Sequence, residues 1–193
     1  MAIKMNIIDF TFQDRRNGGG KSIFCLGFIM ALFFFKRKAS YVLPMFRLCQ
    51  YLKGKRGIVA NIFKKYAFHR YSSLAESFNV YMPVDTSIGK YVCFAHYFPV
   101  VINPSAIIGE NCIIHPCVLI ARDRGKDGAP VIGDNCFVGH GAKIIGNPTI
   151  GEWSFICPGA IVTKDMPNGS LIGSGVNNLL SQNGKEHVLL YQM

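Results

Sequence analysis

The chain has 193 residues, half of them apolar and 17% charged, with a mean hydropathy of +0.24. That composition excludes a disordered tail or linker and leaves ample material for a core. The formal charge of +10 is unevenly spread: residues 1–80 carry a net of +11 and residues 81–193 a net of −1. A basic, apolar first part therefore precedes a neutral second part, and a nucleic-acid partner is not implied.

Residues 1–80 read as a basic helical region. Within it, Ile23–Phe35 is a run of thirteen apolar or Gly residues, bounded by Lys21 and by Lys36-Arg37-Lys38. A bilayer-crossing helix needs about 20 such residues, and a signal peptide should end in small residues rather than three bases. Two readings stay open: a helix packed on its own protein, or one lying on an anionic membrane surface. Seven cysteines occur without a CxxC pair, so neither a zinc site nor a disulfide framework is expected. Thiols acting as small hydrophobes suit a reducing cytoplasm, with the chain either free there or peripheral on the cytoplasmic membrane face.

From Ile88 an aliphatic or aromatic residue returns every six positions. The series runs Ile88, Phe94, then after a two-residue slip Ile102, Ile108, Ile114 and Ile120. It skips Ala121–Val131 and resumes at Ile132, Val138, Ile144, Ile150, Ile156 and Val162. At this composition, twelve apolar hits arise by chance roughly once in 4,000, so the repeat is real. The position four residues on is small or β-branched: Val92, Cys112, Val118, Cys136, Ala142, Ser154, Ala160. Gly89, Gly109, Gly133, Gly139 and Gly151 directly follow the repeated residue. Period six suits neither an amphipathic helix nor a long strand. It suits a short strand plus a turn, three of which close one coil of a solenoid.

Ile108-Gly109-Glu110-Asn111-Cys112-Ile113 and Ile132-Gly133-Asp134-Asn135-Cys136-Phe137 resemble the hexapeptide repeat of left-handed parallel β-helix acyltransferases. The resemblance implies a mainly β fold over residues 81–175, with an extruded loop at 121–131 and a C-terminal tail at 176–193. The left-handed coiling it implies departs from the usual crossover rule. Val92–His96, Pro99–Asn103, Gly141–Asn147 and Val162–Pro167 are similar to the serine acetyltransferase branch. The wording at Val101–Pro104 and Gly128–Gly133 is closest to polysaccharide-biosynthesis O-acetyltransferases of that branch.

Acetyl transfer to a hydroxyl needs a base, and imidazole, with a reference pKa near 6.5, serves at neutral pH. His96 lies where the repeat slips, and the resemblance carries the catalytic histidine onto it. His115 is a lesser candidate, while His140 is expected at a subunit contact. Cys112 and Cys136 occupy inward slots and read as core rather than nucleophiles. The resemblance implies acetyl-CoA as co-substrate, no metal, and a homotrimer. Lys143 and Lys164 are candidates for its phosphates, and Ala142 and Ala160 for a close approach of its pantetheine arm.

Three positions depart from the serine-specific pattern: Ala95 and Tyr81 where it has Asp, and Ala129 where it has His. With Tyr97 and Phe98 beside the base as acceptor-binding rings, the sequence points to a sugar hydroxyl in surface-polysaccharide synthesis. Serine O-acetyl transfer for cysteine synthesis is the alternative, and a non-catalytic β-helix scaffold the rival of another class.

Overall fold

The computed structural model describes residues 42–96, 99–125 and 127–192, so the Ile23–Phe35 run and the Tyr97-Phe98 pair lie outside the described residues. The chain divides into two units at Phe78/Asn79. In the first, helix α1 (Val42–Lys53) buries Val42, Met45, Phe46 and Cys49, the three-and-four spacing of one helical face. Helix α2 (Ile58–Ser77) buries Ala67, Tyr71, Leu74 and Ala75 on its own face. The two faces meet through the rings of Phe46 and Tyr71, centroids 5.9 Å apart. Asn79, in the left-handed region at φ 52°, follows the end of α2, a conformation common just past a helix C-terminus.

The second unit is a parallel β-helix of three sheets. One side stacks β1 (Val80–Tyr81), β4 (Val100–Ile102), β7 (Leu119–Ala121), β10 (Lys143–Ile145), β13 (Ala160–Val162) and β15 (Gly175–Val176). The second stacks β2 (Ser87–Ile88), β5 (Ile107–Ile108), β8 (Val131–Ile132) and β11 (Thr149–Ile150). The third stacks β3 (Cys93–Phe94), β6 (Ile113–Ile114), β9 (Phe137–Val138), β12 (Phe155–Ile156), β14 (Leu171–Ile172) and β16 (Leu179–Ser181). Every pairing is parallel except β14 with β16.

All twelve repeated residues point inward, and none is more than 9% exposed. Each coil buries them only against the coils beside it, which is why the repeat must continue to be stable. The intervening small residues form buried files of their own. Cys93 pairs with Ile113, Ile113 with Phe137 and Phe137 with Phe155, so Val92, Cys112, Cys136 and Ser154 fall in one file, all buried. Ser170 extends it, its hydroxyl donating to the Pro167 carbonyl at 2.6 Å.

The glycines after the repeated residue have a steric cause. A Cβ on Gly89 would lie 2.5 Å from the Glu110 nitrogen, and one on Gly133 2.6 Å from the Glu152 nitrogen. Both obstacles are backbone of the next coil. The coils are therefore stacked too closely there for any side chain.

The slip is visible as a longer corner. Phe94 pairs with Ile114 and Ile102 with Ile120, so the first coil takes eight residues over a span that the second crosses in six. His96 opens that corner at φ 59°, a left-handed conformation uncommon outside glycine and asparagine.

The segment 176–193 is more than a tail. It completes β15 with Val176 and contributes β16 and a third described helix, α3 (Gly184–Gln192). Val188 of that helix is fully buried against Ile113, Phe137 and Phe155, the outward residues of the third sheet.

Candidate active site at the histidine edge

Three histidines follow successive strands of the third sheet: His96 after β3, His115 after β6 and His140 after β9. His115 and Ile113 both point outward around inward Ile114, the alternation of any strand. The backbone nitrogen of His115 donates to the Val138 carbonyl at 2.9 Å, which fixes its height on the stack. Its ring meets His96 at a centroid distance of 6.4 Å and an interplanar angle of 77°, edge to face. On the other side it packs at 4.8 Å against Phe137. The half-buried His115 imidazole is held below its ordinary value, first by loss of water and then by the like charges His96 and His140 would carry. A neutral His115 beside an exposed His96 leaves the latter as the group open to a substrate.

His140 is exposed at the same edge, where it acts on His115 through its charge. Lys143 is exposed on the outer face of β10, and Lys164 is exposed just beyond β13. Ala142 and Ala160 serve the coil first. Both are fully buried inside the coil beside Val118, so neither methyl group reaches a ligand on the outer surface. The inward-facing rule of the four-residue offset decides their place.

The Cys112 thiol donates to the Gly133 carbonyl at 3.2 Å, and the Cys136 thiol to the Gly151 carbonyl at 3.3 Å. Cys136 is pushed up by its hydrogen bond with the Cys112 thiol and by burial, away from thiolate chemistry. Ala95 packs against the apolar cluster of Ile113, Phe137, Phe155 and Val188. Tyr81 lies on the outer face of β1, 58% exposed.

Residues that sequence reading missed come from α3. Tyr191 places its ring 4.4 Å from Phe137 and 6.5 Å from His115. The available signal was Phe137 and Phe155 at outward positions, two large rings that needed a cover.

The closed coils and the six-residue repeat define a parallel β-helix built on hexapeptide repeats. The family of bacterial transferase hexapeptides (six repeats) matches residues 129–164. More particularly, the chain is similar to serine acetyltransferases. It is 35% identical to that of Synechococcus elongatus over 83 residues, 42% of this chain and 34% of the relative. Among solved structures, soybean serine acetyltransferase apoenzyme overlays with a TM-score of 0.58 at 30% identity, covering 72% of this chain and 56% of that one. The soybean enzyme complexed with serine overlays at 0.59 and 26% identity, covering 83% and 63%. The chain spans about a third to a half of the length of these curated relatives.

These findings correct the polysaccharide reading, since the relatives and structural neighbours are serine acetyltransferases. The physical reason lies in what the resembling wording builds. Pro130 accepts the Ile107 amide at 3.0 Å and Val131-Ile132 is strand β8, so Gly128–Gly133 is coil construction and carries no acceptor information. The glycan acceptor and the membrane surface find no support in the relatives.

Proposed function

We propose that the chain is an acetyl-CoA-dependent O-acetyltransferase acting on serine, with His96 as general base. The observation that carries this reading is the 30% identity with a solved serine acetyltransferase over 72% of the chain. His96 takes the serine hydroxyl proton as that oxygen attacks the thioester carbonyl. The new C–O bond forms, the C–S bond breaks, and the imidazolium returns its proton to the departing thiolate. Lys143 and Lys164 supply exposed cations for the phosphates of coenzyme A. The active assembly is a cyclic trimer, which sedimentation at micromolar concentration checks.

The departures at Ala95 and Tyr81 bear on affinity rather than chemistry. An amino-acid acceptor carries an ammonium, and neither position offers it a counter-charge. A weak hold on serine is the expected consequence, with discrimination falling accordingly. Thiol release from acetyl-CoA, with and without L-serine, tests the reading. Release that requires both serine and His96 supports it; release unaffected by serine overturns it.

A further inference from the structure

The geometry points to Tyr191 as a positioning residue of the histidine edge: its ring holds His115 against Phe137 and so fixes the wall beside His96. The inference deepens the acetyl-transfer reading and rests on it for the role of His96. Tyr191 belongs to a helix anchored at both ends. Near its start the Lys185 ammonium lies 4.9 Å over the Trp153 ring. At its end the Gln192 side-chain amide donates to the Asn111 carbonyl at 3.3 Å, in the turn that precedes β6 and therefore His115. Val188 between them is wholly buried.

That anchoring places the Tyr191 ring over the stacked pair Phe137 and Phe155, at 4.4 Å and 5.6 Å. Phe137 and Phe155 are themselves parallel at 4.3 Å, a rigid floor. The third neighbour is His115, met edge to face at 89°. Centroid separations of this size are those at which aromatic rings attract. His115 is thus bounded by Phe137, Tyr191 and His96. Tyr191 itself is 49% exposed, so one side of it stays open to solvent.

The titratable groups facing His115 are His96 and His140 from neighbouring coils and Tyr191 from α3. Without the Tyr191 ring, water reaches His115 and the imidazole takes up a proton more readily. A cation there opposes the positive charge that His96 must develop as it accepts the hydroxyl proton. Turnover should fall while the hold on either substrate stays.

The test compares Tyr191→Ala, Tyr191→Leu and Tyr191→Phe in the full chain. NMR titration of the His115 ring should show its midpoint rising in the Ala and Leu variants and unmoved in Phe. With acetyl-CoA and L-serine, kcat should drop by roughly tenfold in Ala and Leu, within the about 10²-fold that a misplaced group costs, with KM little changed and the acid limb moved to higher pH. The Leu variant keeps Phe137 covered should the Ala variant fail to fold. A His115 midpoint that stays in place without the ring, or a Phe variant that shifts as Ala does, overturns the assignment. The titration needs no acceptor, so a chain that fails to acetylate serine still puts Tyr191 to the test.

Discussion

Cys112 and Cys136 stand one coil apart in the same buried file, and each thiol donates to a carbonyl of the coil beyond its own, Gly133 and Gly151. Ser154 and Ser170 continue the file with hydroxyls that donate to Gly151 and Pro167. The slot therefore takes a short side chain throughout, and from Cys112 onward one with a donor, Val92 in the first coil having none. Cys136→Ser is expected to change unfolding free energy by less than about 1.5 kcal/mol, whereas Cys136→Leu should cost about 1–3 kcal/mol by overpacking. Urea unfolding followed by circular dichroism checks both.

Gly133 and Gly141 separate two reasons for glycine. A Cβ on Gly133 meets backbone of the next coil at 2.6 Å, while Gly141 has open space around it and a φ of +68°. Gly141→Ala should cost only the left-handed penalty, about 1–2 kcal/mol. Gly133→Ala should cost more, because the Gly151-Glu152 turn it meets is hydrogen-bonded to the following coil and cannot retreat from it. Equal midpoints for the two variants in thermal unfolding would show that the stacking is looser than this.

His96→Ala should lower kcat by about 10²–10⁴-fold, the usual contribution of a general base, with the far-ultraviolet spectrum unchanged. His115→Ala is the control. A loss below about tenfold for His96→Ala, together with a larger one for His115→Ala, would transfer the role.

His115 also makes stability depend on pH. Its imidazole is held low in the folded chain, chiefly by desolvation, so the unfolded chain binds more protons as pH falls past the ordinary value of about 6.5. Stability is then lost on acidification through that value and regained toward neutrality. His115→Gln should flatten the decline of melting temperature between about pH 7 and 5. An identical decline in the variant would assign the acid sensitivity elsewhere.

The periodic part of the fold was legible because burial in a solenoid repeats with the coil. Ile88 through Val162 could be placed inward from spacing alone, and the slip before Ile102 marked the odd corner that holds His96. The same rule placed Ala142 and Ala160 inside the coil. Helix α3 was illegible for a different reason. Its nine residues, Gly-Lys-Glu-His-Val-Leu-Leu-Tyr-Gln, show no sustained apolar stripe, and only Val188 is deeply buried among its side chains. Its position depends on the Phe137–Phe155 surface supplied by distant coils, a tertiary cause that no local pattern records. The acceptor was misread because Gly128–Gly133 serves the coil rather than the substrate.

The reversal of β16 has a consequence for growth. A parallel stack has no inherent last member, and each terminal strand presents unpaired amides and carbonyls that can template another chain. By turning antiparallel onto β14, with Leu171 opposite Ser181 and Ile172 opposite Leu179, the chain lays its own final strand across that end of the third sheet. The next molecule finds the opposite strand polarity there, and the in-register continuation that would join two solenoids into a filament is broken.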